Sequence, residues 1–99
     1  MVQAIDNLTT LGGTLLRREP HPTLTGYELA TLQVERSEPV PGKADLLGHQ
    51  VGSVLHIAVR TELLGAAQPE ARLRLRAKMT ASGAMAERDP APGDFSVEP

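Results

Sequence analysis

The sequence predicts an all-β domain of about five strands, and three observations carry that prediction. Residues 52–63 and 71–80 alternate apolar and polar side chains with the period of two expected of a half-buried strand. Glycine and proline punctuate the chain at short intervals. No segment carries a long apolar stripe at the 3.6-residue period of a helix.

The elements follow in chain order. Residues 14–19 form the first strand candidate. Gly12 and Gly13, just before it, are expected where a turn or a sharply bent strand needs small residues. The break "EPHP" at 19–22 separates this candidate from the next, because each proline disfavours helix in the residue before it. Residues 23–36 form the second candidate, and its parity slips. Tyr27 and Leu29 share one face, while Leu32 and Val34 share the other. A bulge near residues 30 and 31 would reconcile them. A rival reading uses Thr25 and Glu28, which have the spacing of a capping box that could open a short helix. Tyr27, Thr31 and Val34 favour the strand. Residues 37–50 are expected as a loop with one helical turn at 44–47.

Residues 54–63 are expected to be a strand with Leu55, Ile57, Val59, Thr61 and Leu63 inward. Residues 72–80 are expected to be another, with Leu73, Leu75, Ala77 and Met79 inward. Sequential strands usually neighbour one another, so the two are expected to pair as an antiparallel hairpin. One simple register puts Glu62 opposite Arg72 and Arg60 beside Arg74. The chain is thus expected to form one all-β domain over residues 1–89. Residues 90–99 follow as a Pro-rich acidic tail or a short edge strand at 94–97. The architecture expected is a small five- to six-stranded antiparallel barrel, OB-like in outline, or a compact sandwich. A long, curled second strand with a bulge favours the barrel. Such an architecture does not by itself fix a function.

Composition narrows the roles. By surface-to-mass scaling, a chain this long buries roughly 64% of its unfolded surface, which gives one modest core. Tyr27 and Phe95 are the only aromatic residues, so aliphatic side chains must fill that core. A thin core points to self-association, and a homo-oligomer or an accessory subunit is the expected state. Net charge is −2, which weighs against a dedicated nucleic-acid binder. Cysteine is absent, which excludes disulfides, thiolate catalysis and Cys-type metal sites. It also suits a cytoplasmic location. The first residues lack the charged n-region and apolar run of a signal peptide. No apolar run approaches the roughly 20 residues of a membrane span. The excess of Arg over Lys, with abundant Ala, Gly, Pro and Leu, reads as the coding bias of a GC-rich bacterial genome.

No motif for chemistry stands out. Asp45, His49 and Ser53 sit four apart, but Gly48 and Gly52 break the helix that would align them. Triad members normally come from separate segments. His21, His49 and His56 are scattered and lack metal-ligand spacing. Neither "LGGTLL" nor "GKA" completes a P-loop. No catalytic residue, cofactor or metal site is therefore assigned, and a non-enzymatic binding or structural module is the expected class. A small enzyme with its site at a subunit interface near His49 and His56 is one alternative.

The other alternative rests on "ARLRLRAKMT". Arg72, Arg74, Arg76 and Lys78 would form a cationic line roughly 20 Å long on one strand face, with Arg60 nearby. Such a line could hold a polyanion or a protein partner. If all four met single-stranded phosphates, log K would fall against log salt with a slope of about −2.8, which is weak binding. Tight single-strand binding also stacks bases on aromatics, which are scarce here. The same row serves equally as the wet face of a half-buried strand. The acids Glu87, Asp89, Asp94 and Glu98 follow closely. The tail is therefore expected to lie on the basic face, within one chain or across a subunit boundary, and to gate it.

Overall fold

The computed structural model describes residues 6–99. Residues 1–5, the start of the expected domain 1–89, lie outside the described residues. Six strands are present there: β1 Thr9–Pro20, β2 Tyr27–Pro39, β3 Val54–Arg60, β4 Arg72–Thr80, β5 Gly83–Ala86 and β6 Ser96–Glu98. A one-turn helix, α1, spans Thr61–Leu64, and a 3-10 turn spans Gly48–Gln50. The sheet runs β1-β2-β3-β5-β4-β6, and β1 also pairs with β4. That last pairing closes five strands into a barrel and leaves β6 as an addition on the free part of β4. All pairings are antiparallel except β3–β5, so the barrel is mixed rather than purely antiparallel.

The core is aliphatic, as the composition demands. Leu11, Leu15, Leu32, Ile57, Val59 and Leu75 are almost completely buried, with Ala30, Ala77 and Ala86 filling the tighter places. In β4, Leu73, Leu75 and Ala77 are buried and Met79 is half-buried, while Arg72, Arg74 and Lys78 stand outside. The alternation in 72–80 therefore reports the true faces of that strand. Residues 27–36 are strand, not helix.

The expected hairpin between 54–63 and 72–80 does not form. β3 stops at Arg60, and residues 61–64 turn into α1, which places Leu64 in the core at 2% exposure. Gly65, at φ 53°, ends that turn, and its N–H bonds the Thr61 carbonyl at 3.0 Å. The chain then crosses the barrel end and bonds β1: Glu70 N–H to the Leu15 carbonyl, and Leu15 N–H to the Ala71 carbonyl, each at 2.8 Å. β4 thus enters along β1, and β5 lies between β3 and β4. β5 takes the edge of β4 that the hairpin would have used, and the other edge of β4 pairs with β1 and closes the barrel. The register of Glu62 with Arg72 and Arg60 with Arg74 falls with the hairpin. The expected helical turn at 44–47 lies four residues later, at Gly48–Gln50, where the Asp45 carboxylate accepts the Gly48 N–H at 2.8 Å.

Two irregularities let the first hairpin curl, and neither lies at residues 30 and 31. Between Gly12/Gly13 the β1–β2 register skips Glu35 on β2. Between Leu15 and Arg17 it skips Leu16 on β1. β2 keeps Ala30, Leu32 and Val34 inward without a break, so Tyr27 and Leu29 face outward. The bulge at Leu16 reverses the phase of β1. Leu11 and Leu15 point inward before it, whereas Arg18, paired with Ala30, takes the inward phase after it. Leu16 itself is 42% exposed.

Gly13 marks the closest approach of the two strands. A Cβ there would overlap the Gln33 carbonyl, with the Gln33 carbonyl carbon 2.9 Å and the Val34 Cα 3.2 Å away. Gly12 is different: a Cβ would meet nothing nearer than 3.8 Å. Gly13→Ala should therefore destabilise the fold by about 1–3 kcal/mol, since backbone must move. Gly12→Ala should change stability by no more than about 0.5 kcal/mol. Urea unfolding of the two variants beside the parent checks the contrast.

Candidate functional site

The candidate cations separate into two places. Arg72, Arg74, Arg76 and Lys78 share the outer face of β4, as expected. Arg60 ends β3, opposite Tyr27, with β5 between it and β4. Its guanidinium bonds the Arg88 carbonyl and the Asp89 carboxylate, each at 2.9 Å, and the Glu62 carboxylate at 2.9 Å. Arg60 is therefore no part of the line on β4.

That line is flanked at one end by the chain itself. β6 pairs with β4 in the register Arg72↔Glu98, Leu73↔Val97 and Arg74↔Ser96. Arg76 Nη1 lies 3.3 Å from Asp94 Oδ2. Arg74 Nη1 donates to the Gly93 carbonyl at 3.2 Å. The acidic tail therefore lies along the edge of the basic strand, where Asp94 meets Arg76, and Arg72 and Arg74 stay exposed. Phe95 and Val97 pack against the core from the same segment. Lys78 lies at the other end of the line, opposite Met85.

A different outer surface carries little charge. β2 and β3 pair in an unbroken ladder: Leu29 faces Ala58, Thr31 faces His56 and Gln33 faces Val54. Ala58 in turn neighbours Met85 of β5. Between Arg60 at one end and Val54 at the other, these outward positions hold no acid and no lysine. Val54 is 47% exposed, and the His56 Nδ1 contacts the Thr31 hydroxyl at 3.1 Å. The sequence signal for this surface was the apolar outer parity of Tyr27 and Leu29, which looked like a defect of the strand pattern.

The other candidate groups have local structural roles. Asp45 accepts from the Thr9 hydroxyl at 2.7 Å and from the Gly48 N–H, and His49 contacts Gln50. Asp45, His49 and Ser53 do not form a relay. The His21 Nδ1 accepts the Thr23 and Leu24 N–H groups and holds the β1–β2 turn. Among the described residues no cluster of three His, Asp or Glu side chains is placed to hold a metal. No helix among them is long and apolar enough to cross a membrane.

One ion pair stands apart, and no sequence spacing announces it. Arg18 and Glu28 meet in a two-bonded pair at 2.6 and 2.8 Å, with side chains 19% and 13% exposed. Arg18 also donates to the Gly65 and Ala67 carbonyls, each at 2.8 Å. It pins the loop after α1 to the first hairpin. The hydrogen bond from Arg18 holds the Glu28 carboxyl below the usual carboxylate range, against the opposing effect of burial. The same bond raises Arg18.

A carboxylate lowered in the folded state stabilises that state above its unfolded pKa, about 4.3, and loses the contribution as pH falls through the folded value. Glu28→Gln should cost about 1.5–3 kcal/mol at pH 7. The gap to the parent should narrow by about pH 3. Urea midpoints at the two pH values measure it; a gap that stays constant would detach the pair from acid stability.

No known family, no curated protein and no solved structure matches this chain.

Proposed function

We propose that this protein is a small non-enzymatic binding module that self-associates through the outer face of β2, β3 and β5. The observation that carries the reading is the absence of acids and lysines along the ladder from Leu29 and Ala58 to Gln33 and Val54. The outer face of β4, by contrast, is a row of cations. A surface without like charges can pair with itself across a two-fold axis at no electrostatic cost. The aliphatic core adds a motive, since a small barrel gains stability by covering a further face. The groups that chemistry would need, His49, His56, Asp45 and Ser53, are engaged with neighbours or stand apart. A cytoplasmic setting goes with this reading, as does the cysteine-free chain.

The strand order supports reading the closed mixed barrel as OB-like, and OB-folds bind oligonucleotides and oligosaccharides on the face of strands 2 and 3. That supports a second reading, in which Tyr27 and the adjoining Arg60 hold a single strand weakly. The original basis for it, the row on β4, is weakened because Asp94 and the Gly93 carbonyl engage Arg76 and Arg74.

Light scattering should find a dimer or larger closed assembly whose thermal midpoint rises with protein concentration. Leu29→Lys puts a charge on the face without touching the core, so it should stay folded and lose association through this face, with a midpoint that depends less on concentration than the parent's. A parent chain that is monomeric over a hundredfold concentration range would refute the proposal. Salt-sensitive binding of a labelled single strand, lost in Tyr27→Ala, would favour the second reading.

A further inference from the structure

β4 has one edge fully engaged by β1, from Arg72 to Ala77. Its other edge is shared. β5 takes Ala77 to Thr80, the Glu87 N–H bonds the Arg76 carbonyl at 2.9 Å, and β6 takes Arg72 to Arg74. β5 and β6 run in the same direction along that edge. Three steps along β4, from Ala77 to Arg74, correspond to ten steps along the partner, from Ala86 to Ser96, so seven residues are looped out between them. β6 is thus a separate, three-residue continuation of β5, tethered through a segment containing Pro90, Pro92 and Gly93.

We propose that the β4 edge at residues 72–76 is an acceptor site for an extended acidic and apolar strand, and that residues 94–98 of a second copy of this chain are its occupant in trans. The site reads its strand in alternation. Arg76 takes the Asp94 carboxylate, Leu73 lies opposite Val97, and Arg72 lies opposite Glu98. Phe95 adds an apolar anchor against the core. The chain's own tail shows which peptide chemistry fits, and an identical tail from another molecule offers the same contacts. The seat in cis is shallow. It rests on a three-residue ladder and one partly exposed ion pair, which belongs to the class of local openings that leave the rest of a fold intact. Eight residues lie between Glu87 and Ser96, and the nine steps they span can extend about 30 Å toward another barrel. The choice between cis and trans then depends on concentration. This site is separate from the face of β2 and β3 and does not rest on its self-association.

The test uses the full chain and a labelled synthetic peptide of residues 90–99. The peptide should bind saturably and more tightly to Val97→Asp, whose own tail is weakened, than to the parent chain. Binding to Val97→Asp should weaken about fivefold when Arg76→Ala is added, and should fall between about 50 and about 500 mM salt. Because the protein has no cysteine, a second measurement is free of background. A peptide carrying Ser96→Cys should form a disulfide with a chain carrying Arg74→Cys and not with one carrying Lys78→Cys. That pairing also decides the matter if Val97→Asp does not fold. Absence of saturable binding and of the 74–96 disulfide overturns the proposal, as does binding that ignores Arg76→Ala. Leu29→Lys should leave peptide binding unchanged, which separates this site from the proposed association through β2 and β3, whereas a parent chain that stays monomeric at every concentration would overturn occupancy in trans.

Discussion

The barrel depends on β1 having partners along both edges. β2 runs along one side of it and β4 along the other, so a single strand holds the two ends of the sheet together. A strand can be shared in this way only if the sheet curls sharply. The curl is obtained where Gly13 lets the Gln33 carbonyl approach without a side chain between them. Flanking irregularities at Glu35 and Leu16 absorb the change of register. The rest of the core then has a cylinder to fill, and small aliphatic residues suffice because the cylinder is narrow.

The same bulge that serves closure creates the best-formed ion pair. Leu16 is pushed out, and Arg18 takes up the inward phase at the end of the barrel. There it meets Glu28, which shares the phase of Ala30, together with two carbonyls of the loop after α1. A charged residue in a core phase is tolerable because its hydrogen bonds are satisfied. Backbone irregularity, loop anchoring and electrostatics are here one event rather than three.

The face of a strand was more legible than its neighbours. In 72–80 the alternation is strict, so Leu73, Leu75 and Ala77 could be placed inward from the sequence. The barrel class followed from strand lengths and punctuation. Pairing was not legible in the same way. Nothing local in 54–63 says that residues 61–64 leave the strand to plug the barrel end with Leu64, and "GAMA" at 83–86 is too short and too bland to be recognised as β5. The parity slip at Tyr27 and Leu29 looked like a bulge because one inward face was assumed for every apolar residue. It is instead an apolar outer face. The charge complementarity between the tail and the basic strand was legible, since opposite charges close in sequence meet readily. Arg18 and Glu28 are also close in sequence, but only the bulge tells which way Arg18 turns.

The position of β6 also governs how the molecule answers a pull. β1 and β6 both run opposite to β4, on its two sides, so they are parallel to each other. A force applied between Thr9 and Glu98 draws these two strands in opposite directions along β4. The hydrogen bonds of each ladder are then loaded together in shear, not opened one after another. The two ladders differ greatly in length, six pairs for β1 against three for β6. The shorter one slips first, and the looped-out residues before it pay out as slack. The chain therefore lengthens at its C-terminal end under a load that leaves the barrel closed, so β6 acts as a mechanical fuse.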